Sequence, residues 1–191
     1  MLAGEDRTAG SSATVGACAR GIDHVGVTVP CIEAATTFFV QAFAASVLYD
    51  ALRREDGPVC GRQTERRLGV PAGTQEIAIR MLRLADGPGI ELFEFRGPRQ
   101  RDPANPADFG WQHVAIYVDD LQLAVERVVA AGARILAPPR PLPPLEAGAR
   151  NRFVYCATPW GSTLELISYP DPQPYETMTA LRRWRPAPGG S

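Results

Sequence analysis

Two stretches of the chain share one pattern, and this repeat decides the fold. Residues 21–29 read GIDHVGVTV and residues 110–118 read GWQHVAIYV, so each has a glycine, two spacer residues, a histidine and then apolar residues at alternate positions. Alternation with a period of two is typical of a half-buried β-strand. The two histidines of the chain, His24 and His113, therefore occupy the same position in two copies of one strand.

The repeat continues beyond these strands. CIEAATTFFVQAF (31–43) and DDLQLAVERVVAAGA (119–133) carry apolar residues at helical spacing, and Asp119 or Asp120 is a candidate N-cap for the second helix. GIELFEF (89–95) is echoed by STLELIS (162–168), which aligns Glu91 with Glu165. Short β-prone runs lie between these segments. The duplication predicts an α+β protein made of two tandem βαβββ modules that face each other.

Composition and the positions of Gly and Pro residues divide the chain into five parts. The first residues are small and polar, which predicts a disordered leader. The polar, Gly-rich and Pro-rich stretch at 54–75 is predicted to be a loop inside the first module. The predicted boundaries are 1–20 for the leader, 21–96 for module one, 97–109 for a linker, 110–169 for module two and 170–191 for a C-terminal tail.

Charge and composition exclude several classes of function. The 20 basic and 21 acidic residues give a net charge of −1 without a long run of either sign, which argues against nucleic acid or an anionic membrane as partner. All the basic residues are arginines, so a Schiff-base lysine is excluded. No stretch could span a bilayer, the start does not resemble a signal peptide, and the four cysteines lack disulfide-scaffold spacing. We expect a cytoplasmic protein that binds a small molecule.

The repeated residues form a candidate metal site. His24 and His113 share a position on the first strand of each module, and Glu91 and Glu165 share a position on the fourth. If these strands are neighbours, one His and one Glu from each module meet in a shared cleft. Two imidazoles and two carboxylates suit a divalent Ni, Zn, Fe, Co or Mn ion better than Ca or Mg. Glu94, on the opposite face from Glu91, is expected at an edge or in solvent.

These motifs resemble the vicinal oxygen chelate superfamily over residues 21–169. That superfamily includes glyoxalase I, methylmalonyl-CoA epimerase, extradiol dioxygenases and the fosfomycin and bleomycin resistance proteins. The resemblance implies a cup-shaped, curved mixed sheet with helices on the outside and one divalent metal inside. It also implies a homodimer, with the cup closed either within one chain or by exchange of modules between chains. The implied ligands are His24 in DHVGV, Glu91 in IELFEF, His113 in QHVAIYV and Glu165 in LELIS.

The ligand set resembles bacterial glyoxalase I and the epimerases in particular. It implies a metal-dependent isomerase or lyase that binds vicinal oxygens of a carbonyl substrate and transfers a proton through an enediolate or enolate. Glu165 is the first candidate for the base and Glu91 the second. Two alternatives stay open, an Fe(II)-dependent dioxygenase and a metal-free protein that binds a drug or natural product. No histidine beyond His24 and His113 is available for dioxygenase acid–base chemistry.

The predicted lining of the cup is apolar. Alternation along the strands places five large side chains beside the ligands, and such a lining predicts an apolar or aromatic small-molecule substrate. The tail contains YETMTALRRWRP, which is interpreted either as a short basic helix that covers the cup or as a dimer edge. The five predicted substrate-binding residues are Phe93, Phe95, Trp111, Tyr117 and Ile167.

Overall fold

The computed structural model describes residues 19 and 21–187, so the predicted leader lies almost entirely outside the described residues. Within the described part the fold is α+β, with two mixed sheets and three α-helices. This confirms the fold class that the repeat predicts. Among the described residues, none of the helices has the length and hydropathy needed to cross a membrane.

Module one is a four-stranded sheet covered by one long helix. The sheet order is β1-β4-β3-β2, with β1 and β4 parallel and the other pairs antiparallel. The first and fourth strands are therefore neighbours, which is the arrangement that a shared His–Glu site requires. The elements are β1 (His24–Thr28), α1 (Ile32–Phe43), β2 (Ser46–Leu52), α2 (Arg62–Leu68), β3 (Gln75–Arg83) and β4 (Gly89–Arg96).

Module two repeats this topology with one broken strand. β5 is parallel to β9, and β9 is antiparallel to β8, as in module one. Two short strands, β6 and β7, both pair with β8, and Pro138 and Pro139 lie between them. Proline lacks the N–H group that a strand needs for pairing, which accounts for the break. The elements are β5 (Val114–Tyr117), α3 (Leu121–Ala130), β6 (Arg134–Ile135), β7 (Arg140–Pro141), β8 (Arg152–Ala157) and β9 (Thr163–Ser168).

The insertion at 54–75 is more ordered than predicted. It contains a 3-10 turn, Arg54–Asp56, and the helix α2, which ends at Gly69 in the left-handed conformation. The prediction of a loop was wrong for α2. The sequence RQTERRL carries one apolar residue, so it has no helical stripe to detect, and only Thr64 of this helix is buried.

A single hydrophobic core joins the two modules. Buried residues of α1 and β4 belong to the same cluster as buried residues of α3 and β9. Trp160 from module two packs against α1, with its ring 5.3 Å from that of Phe38 in an edge-to-face arrangement. Because α1 and α3 are also in contact, the modules of one chain are held together on their helical side.

The N-terminal amides of α1 and α3 donate hydrogen bonds to different kinds of acceptor, one distant in the chain and one local. In α3 the Asp120 side chain accepts from the Leu123 amide at 3.0 Å, which confirms one of the two predicted caps. In α1 the Ile32 amide donates to Glu94 at 3.0 Å, and Arg54 pairs with the same carboxylate. Glu94 is only 2% exposed, so its predicted position in solvent was wrong. The free amides of a helix N-terminus favour a carboxylate, which accounts for its burial there.

The C-terminal tail lies against module two without forming a helix of its own. Apart from a 3-10 turn, Pro174–Thr177, the described part of the tail lacks regular structure, so the prediction of a basic helix was wrong. The Tyr169 hydroxyl donates to the Trp184 carbonyl at 2.5 Å. The guanidinium groups of Arg183 and Arg185 lie 4.8 and 5.1 Å from the Tyr169 ring centre, a cation–π arrangement that holds the tail in place.

Candidate functional site

The first half of the site lies between β1 and β4. In this parallel pair His24 lies opposite Gly89 and Gly26 opposite Glu91. The His24 Nε2 atom is 3.1 Å from Glu91 Oε2, and both side chains are partly exposed. A Cβ atom at position 89 would lie 2.9 Å from Met81 Sδ and 3.4 Å from His24 Cβ. Glycine at this position therefore allows the imidazole to lie close to β4.

A second carboxylate orients His24. The Nδ1 atom is 2.7 Å from Asp23 Oδ2, and this hydrogen bond raises the pKa of His24, with a further contribution from the charge of Glu91. An imidazole that donates its Nδ1 proton to Asp23 has Nε2 available as the metal-binding nitrogen. Carboxylates commonly orient metal-binding histidines in this way. His24 is thus arranged to offer Nε2 as a ligand.

The second half of the site repeats this geometry between β5 and β9. His113 immediately precedes β5, and Glu165 lies opposite Ala115 in the parallel pair. The His113 Nε2 atom is 2.9 Å from Glu165 Oε2. The side chains are 24% and 11% exposed, compared with 39% and 20% for His24 and Glu91. The second pair is therefore more enclosed than the first.

Tyr155 is a member of the second half that the sequence reasoning missed. It lies on β8 directly opposite Glu165, and its ring meets His113 edge-on at 5.1 Å between centres. Burial and then the neighbouring Glu165 carboxylate raise the pKa of the Tyr155 phenol. Alternation in NRFVYCA could have placed Tyr155 on the cup face, but only the register of β8 against β9 places it opposite Glu165.

The two His–Glu pairs do not form one cluster. Within residues 21–187, no group of three or more His, Cys, Asp or Glu side chains is arranged to hold a metal ion. The expectation that all four would meet in one cleft of the chain is therefore corrected to two separate pairs. His24 and His113 nevertheless line the same open cavity of about 1550 Å³. The sheets stay separate because the modules are joined through their helices rather than by pairing of β1 with β5.

Three of the five predicted lining residues border this cavity. Phe95 does so from β4, where its ring stacks on Phe93 at 5.6 Å. Tyr117 does so from β5, with its ring 4.9 Å from that of Tyr169. Trp111 does so from the loop before β5, with 101% of its surface exposed.

The remaining lining positions differ from the prediction in their surroundings. Phe93 is half-buried beneath Phe95, and Ile167 is 4% exposed in a small cluster with Tyr117 and Tyr169. Neither borders the cavity. Trp184 of the tail does border it and was not predicted, because only the contact between the tail and Tyr169 brings it there.

The donor set fits a divalent transition metal. Each half offers one imidazole nitrogen beside one carboxylate oxygen, and the two histidines line a common cavity. Mixed nitrogen and oxygen donors suit Ni, Zn, Fe, Co and Mn. The repeated pairs therefore offer donor atoms of the kind that a divalent first-row transition metal binds.

Comparisons with known proteins point to one family. Residues 21–166 match the sequence profile of the Glyoxalase/Bleomycin resistance protein/Dioxygenase superfamily. A 2-epi-5-epi-valiolone epimerase from Actinomyces sp. is 38% identical over 170 residues, covering 86% of this chain and 88% of the relative.

Solved structures share the fold at lower identity. A glyoxalase family protein from Bacillus cereus superposes with a TM-score of 0.62 at 21% identity, covering 82% of this chain and 98% of that one. The fosfomycin resistance protein FosX from Listeria monocytogenes, solved with Mn(II), superposes with a TM-score of 0.53 at 17% identity, covering 83% and 98%. At these identities the likeness shows the fold alone.

Proposed function

The chain belongs to the Glyoxalase/Bleomycin resistance protein/Dioxygenase superfamily, and from this premise we propose that it is a divalent-metal-dependent epimerase of a small carbonyl compound. The observation that carries the proposal is one His–Glu pair repeated in both modules, with Nε2–Oε2 distances of 3.1 and 2.9 Å. The relative from Actinomyces is itself named an epimerase, which favours an isomerase over a lyase, a dioxygenase or a resistance protein.

The ligands that we propose are the two repeated pairs. His24 and His113 would supply nitrogen, and Glu91 and Glu165 would supply oxygen, to one Ni, Zn, Fe, Co or Mn ion. The bound metal would act as a Lewis acid on a carbonyl oxygen and make the neighbouring C–H bond more acidic. The ion would also take oxygens of the substrate as ligands.

Two carboxylates on opposite modules suit inversion of a stereocentre. A carboxylate removes the proton α to the carbonyl, and the electron pair of the broken C–H bond moves towards the carbonyl oxygen to give an enolate. A proton returned to the other face of the same carbon then inverts its configuration. Glu165 remains the first candidate for the base, with Glu91 as its opposite number.

The cavity supports a substrate with an apolar face. Phe95, Trp111 and Tyr117 border it and offer aromatic surface beside the histidines. Such surfaces orient a substrate ring and exclude water from an enolate. The relative's name specifies a ketone, and we propose a ketone of comparable size as the substrate class.

We propose that one chain supplies both halves of each metal site. Its two histidines line one cavity, and its two modules share one core, so a movement of the two sheets towards each other would bring the pairs together. The alternative is a homodimer in which module one of each chain completes module two of its partner.

Mixing His24→Ala and His113→Ala variants separates these arrangements. After co-refolding, exchange of modules between chains would restore an intact site in the mixed dimers, or about one metal per four chains. If the site closes within one chain, the mixture contains no intact site, because each chain lacks one of the two histidines. Measured metal content and size-exclusion mass together therefore decide between the two arrangements.

The first test of the function combines metal analysis with an isotope experiment. The purified chain should carry about one divalent metal, lost in His113→Ala, and should exchange the α-hydrogen of 2-epi-5-epi-valiolone with D2O, followed by NMR. Failure to bind metal after reconstitution would sink the proposed mechanism. Metal binding without exchange, but with oxygen uptake on a catechol, would favour the dioxygenase.

A further inference from the structure

Tyr155 lies beside both members of the His113–Glu165 pair. Residues directly opposite each other in an antiparallel pair project to the same face, so Tyr155 on β8 is the cross-strand neighbour of Glu165 on β9. Its ring lies edge-on to His113, with 5.1 Å between the ring centres. Burial and then the nearby Glu165 carboxylate raise the pKa of the Tyr155 phenol. The three side chains form one contact group on the cup face of module two.

The equivalent position of module one carries a residue that cannot do this. Met81 on β3 lies opposite Glu91 on β4, in the register that Tyr155 has with Glu165. A thioether is a weak acceptor and has no proton to donate to a carboxylate, whereas a phenol is a donor. Among residues 21–187, the side chain that hydrogen-bonds to the His24–Glu91 pair is that of Asp23, which contacts the imidazole and is 92% exposed.

We propose that Tyr155 is a positioning residue that holds the Glu165 carboxylate against His113, so that module two is the preformed half of the metal site. This inference rests on the proposed function. A long acidic side chain loses rotamer entropy when it becomes a ligand, and a partner that already restricts it reduces this loss. Partners of metal ligands act in this way and typically contribute about 10–100-fold in metal affinity.

The difference between the two halves implies an order in which they would bind the ion. Module two would capture the ion first, because its pair is both more enclosed and held by a third side chain. Module one would complete the site when the modules close. The residue opposite Glu91 on β3 is Met81, which donates no hydrogen bond to this carboxylate. Glu91 is then the more mobile of the two carboxylates.

Tyr155→Phe tests the inference because it removes only the hydroxyl, and Met81→Leu is the matched control at the equivalent position. Zn²⁺ binding by calorimetry should weaken about tenfold in Tyr155→Phe and change less than about twofold in the control. The absorption spectrum of the Co²⁺-loaded protein should also change in Tyr155→Phe alone, since it reports ligand geometry. A merely structural role for the hydroxyl would lower the thermal midpoint and leave this spectrum as in the wild type.

Three outcomes are distinguishable. Weaker Zn²⁺ binding together with a changed Co²⁺ spectrum supports the positioning role. Wild-type affinity and spectrum in Tyr155→Phe overturn that role while leaving the metalloenzyme proposal intact. A wild-type chain that binds neither ion overturns both.

Discussion

The His24–Glu91 pair lies beside Met81 and the exposed carboxylate of Asp23, whereas the His113–Glu165 pair lies beside Tyr155 and is more enclosed. The two pairs have the same side chains and the same strand spacing. Their neighbours on the adjoining strand differ, because the Met81 thioether has no proton to donate to Glu91 whereas the Tyr155 phenol can donate to Glu165. Both modules thus keep the His–Glu pair, while the surroundings of the pair differ.

The helix-facing layers of the two modules differ in a similar way. In module one Arg80 pairs with Asp50 at 2.6 Å and with Glu33 at 2.9 Å. The equivalent position of module two is Val154, which is 2% exposed in the apolar core. Module one therefore adds an ionic network to the hydrophobic packing between its helix and its sheet, whereas module two has an apolar side chain at this position.

The largest expected difference between the halves is in metal binding by the two histidine variants. His113→Ala removes the proposed ligand of the more enclosed half, and we expect metal affinity to fall at least about 100-fold. His24→Ala leaves the Tyr155 group intact and should retain weaker binding of the same ion. Equilibrium dialysis against Zn²⁺ measures both variants. Equal losses would remove the distinction between the halves.

The next difference concerns the contacts at the helix N-termini. Glu94→Ala removes the buried acceptor of the Ile32 amide and the partner of Arg54, and should lower the free energy of unfolding by about 3 kcal/mol. Ser168 occupies the equivalent position in module two and donates to the Asp119 carbonyl at 3.4 Å. Ser168→Ala should cost about 1 kcal/mol. Urea unfolding of both variants checks the order, and a larger loss in Ser168→Ala would contradict it.

A third difference concerns the strand position beside each histidine. Gly89→Ala places a Cβ atom against Met81 Sδ and the Leu82 carbonyl and should cost about 2 kcal/mol, with weaker metal binding because His24 is displaced. Thr163 follows the same spacing in module two, and Thr163→Ala should change stability by less than about 1 kcal/mol. Thermal unfolding and Zn²⁺ titration measure both effects. Tolerance of alanine at position 89 would show that the imidazole has room to move.

The smallest expected effect is the pH dependence of the ionic network in module one. The hydrogen bond from Arg80 lowers the pKa of Asp50 below its ordinary value of 3.8. A carboxyl group whose pKa is depressed on folding stabilises the fold above its unfolded pKa, and this contribution is lost as the pH falls through the folded value. Asp50→Asn should therefore cost about 1 kcal/mol at pH 7. This cost should shrink as the pH falls below the ordinary carboxyl pKa of 3.8. A difference from wild type that is constant with pH would exclude this origin.

Much of the fold follows from local pattern. Alternating valines around His24 and His113 indicate strands, and helical spacing indicates α1 and α3, because both periods come from backbone geometry. The helix α2 was missed because its sequence has almost no apolar stripe, and the buried position of Glu94 was missed because its partner, the Ile32 amide, is 62 residues away. Contacts of that range depend on how the elements pack.

The sequence by itself determined which side chains form each His–Glu pair. In a βαβββ module the first and fourth strands are parallel neighbours, β1 with β4 and β5 with β9. Alternation along these strands then places the His and the Glu on the same face of the sheet. Only the tertiary structure decided that Tyr155 lies beside one pair and Met81 beside the other. It also decided that the two pairs stand apart, with their histidines lining one cavity. Cross-strand register and the packing of α1 on α3 are set by contacts between residues far apart in the chain, and no short stretch of sequence contains them.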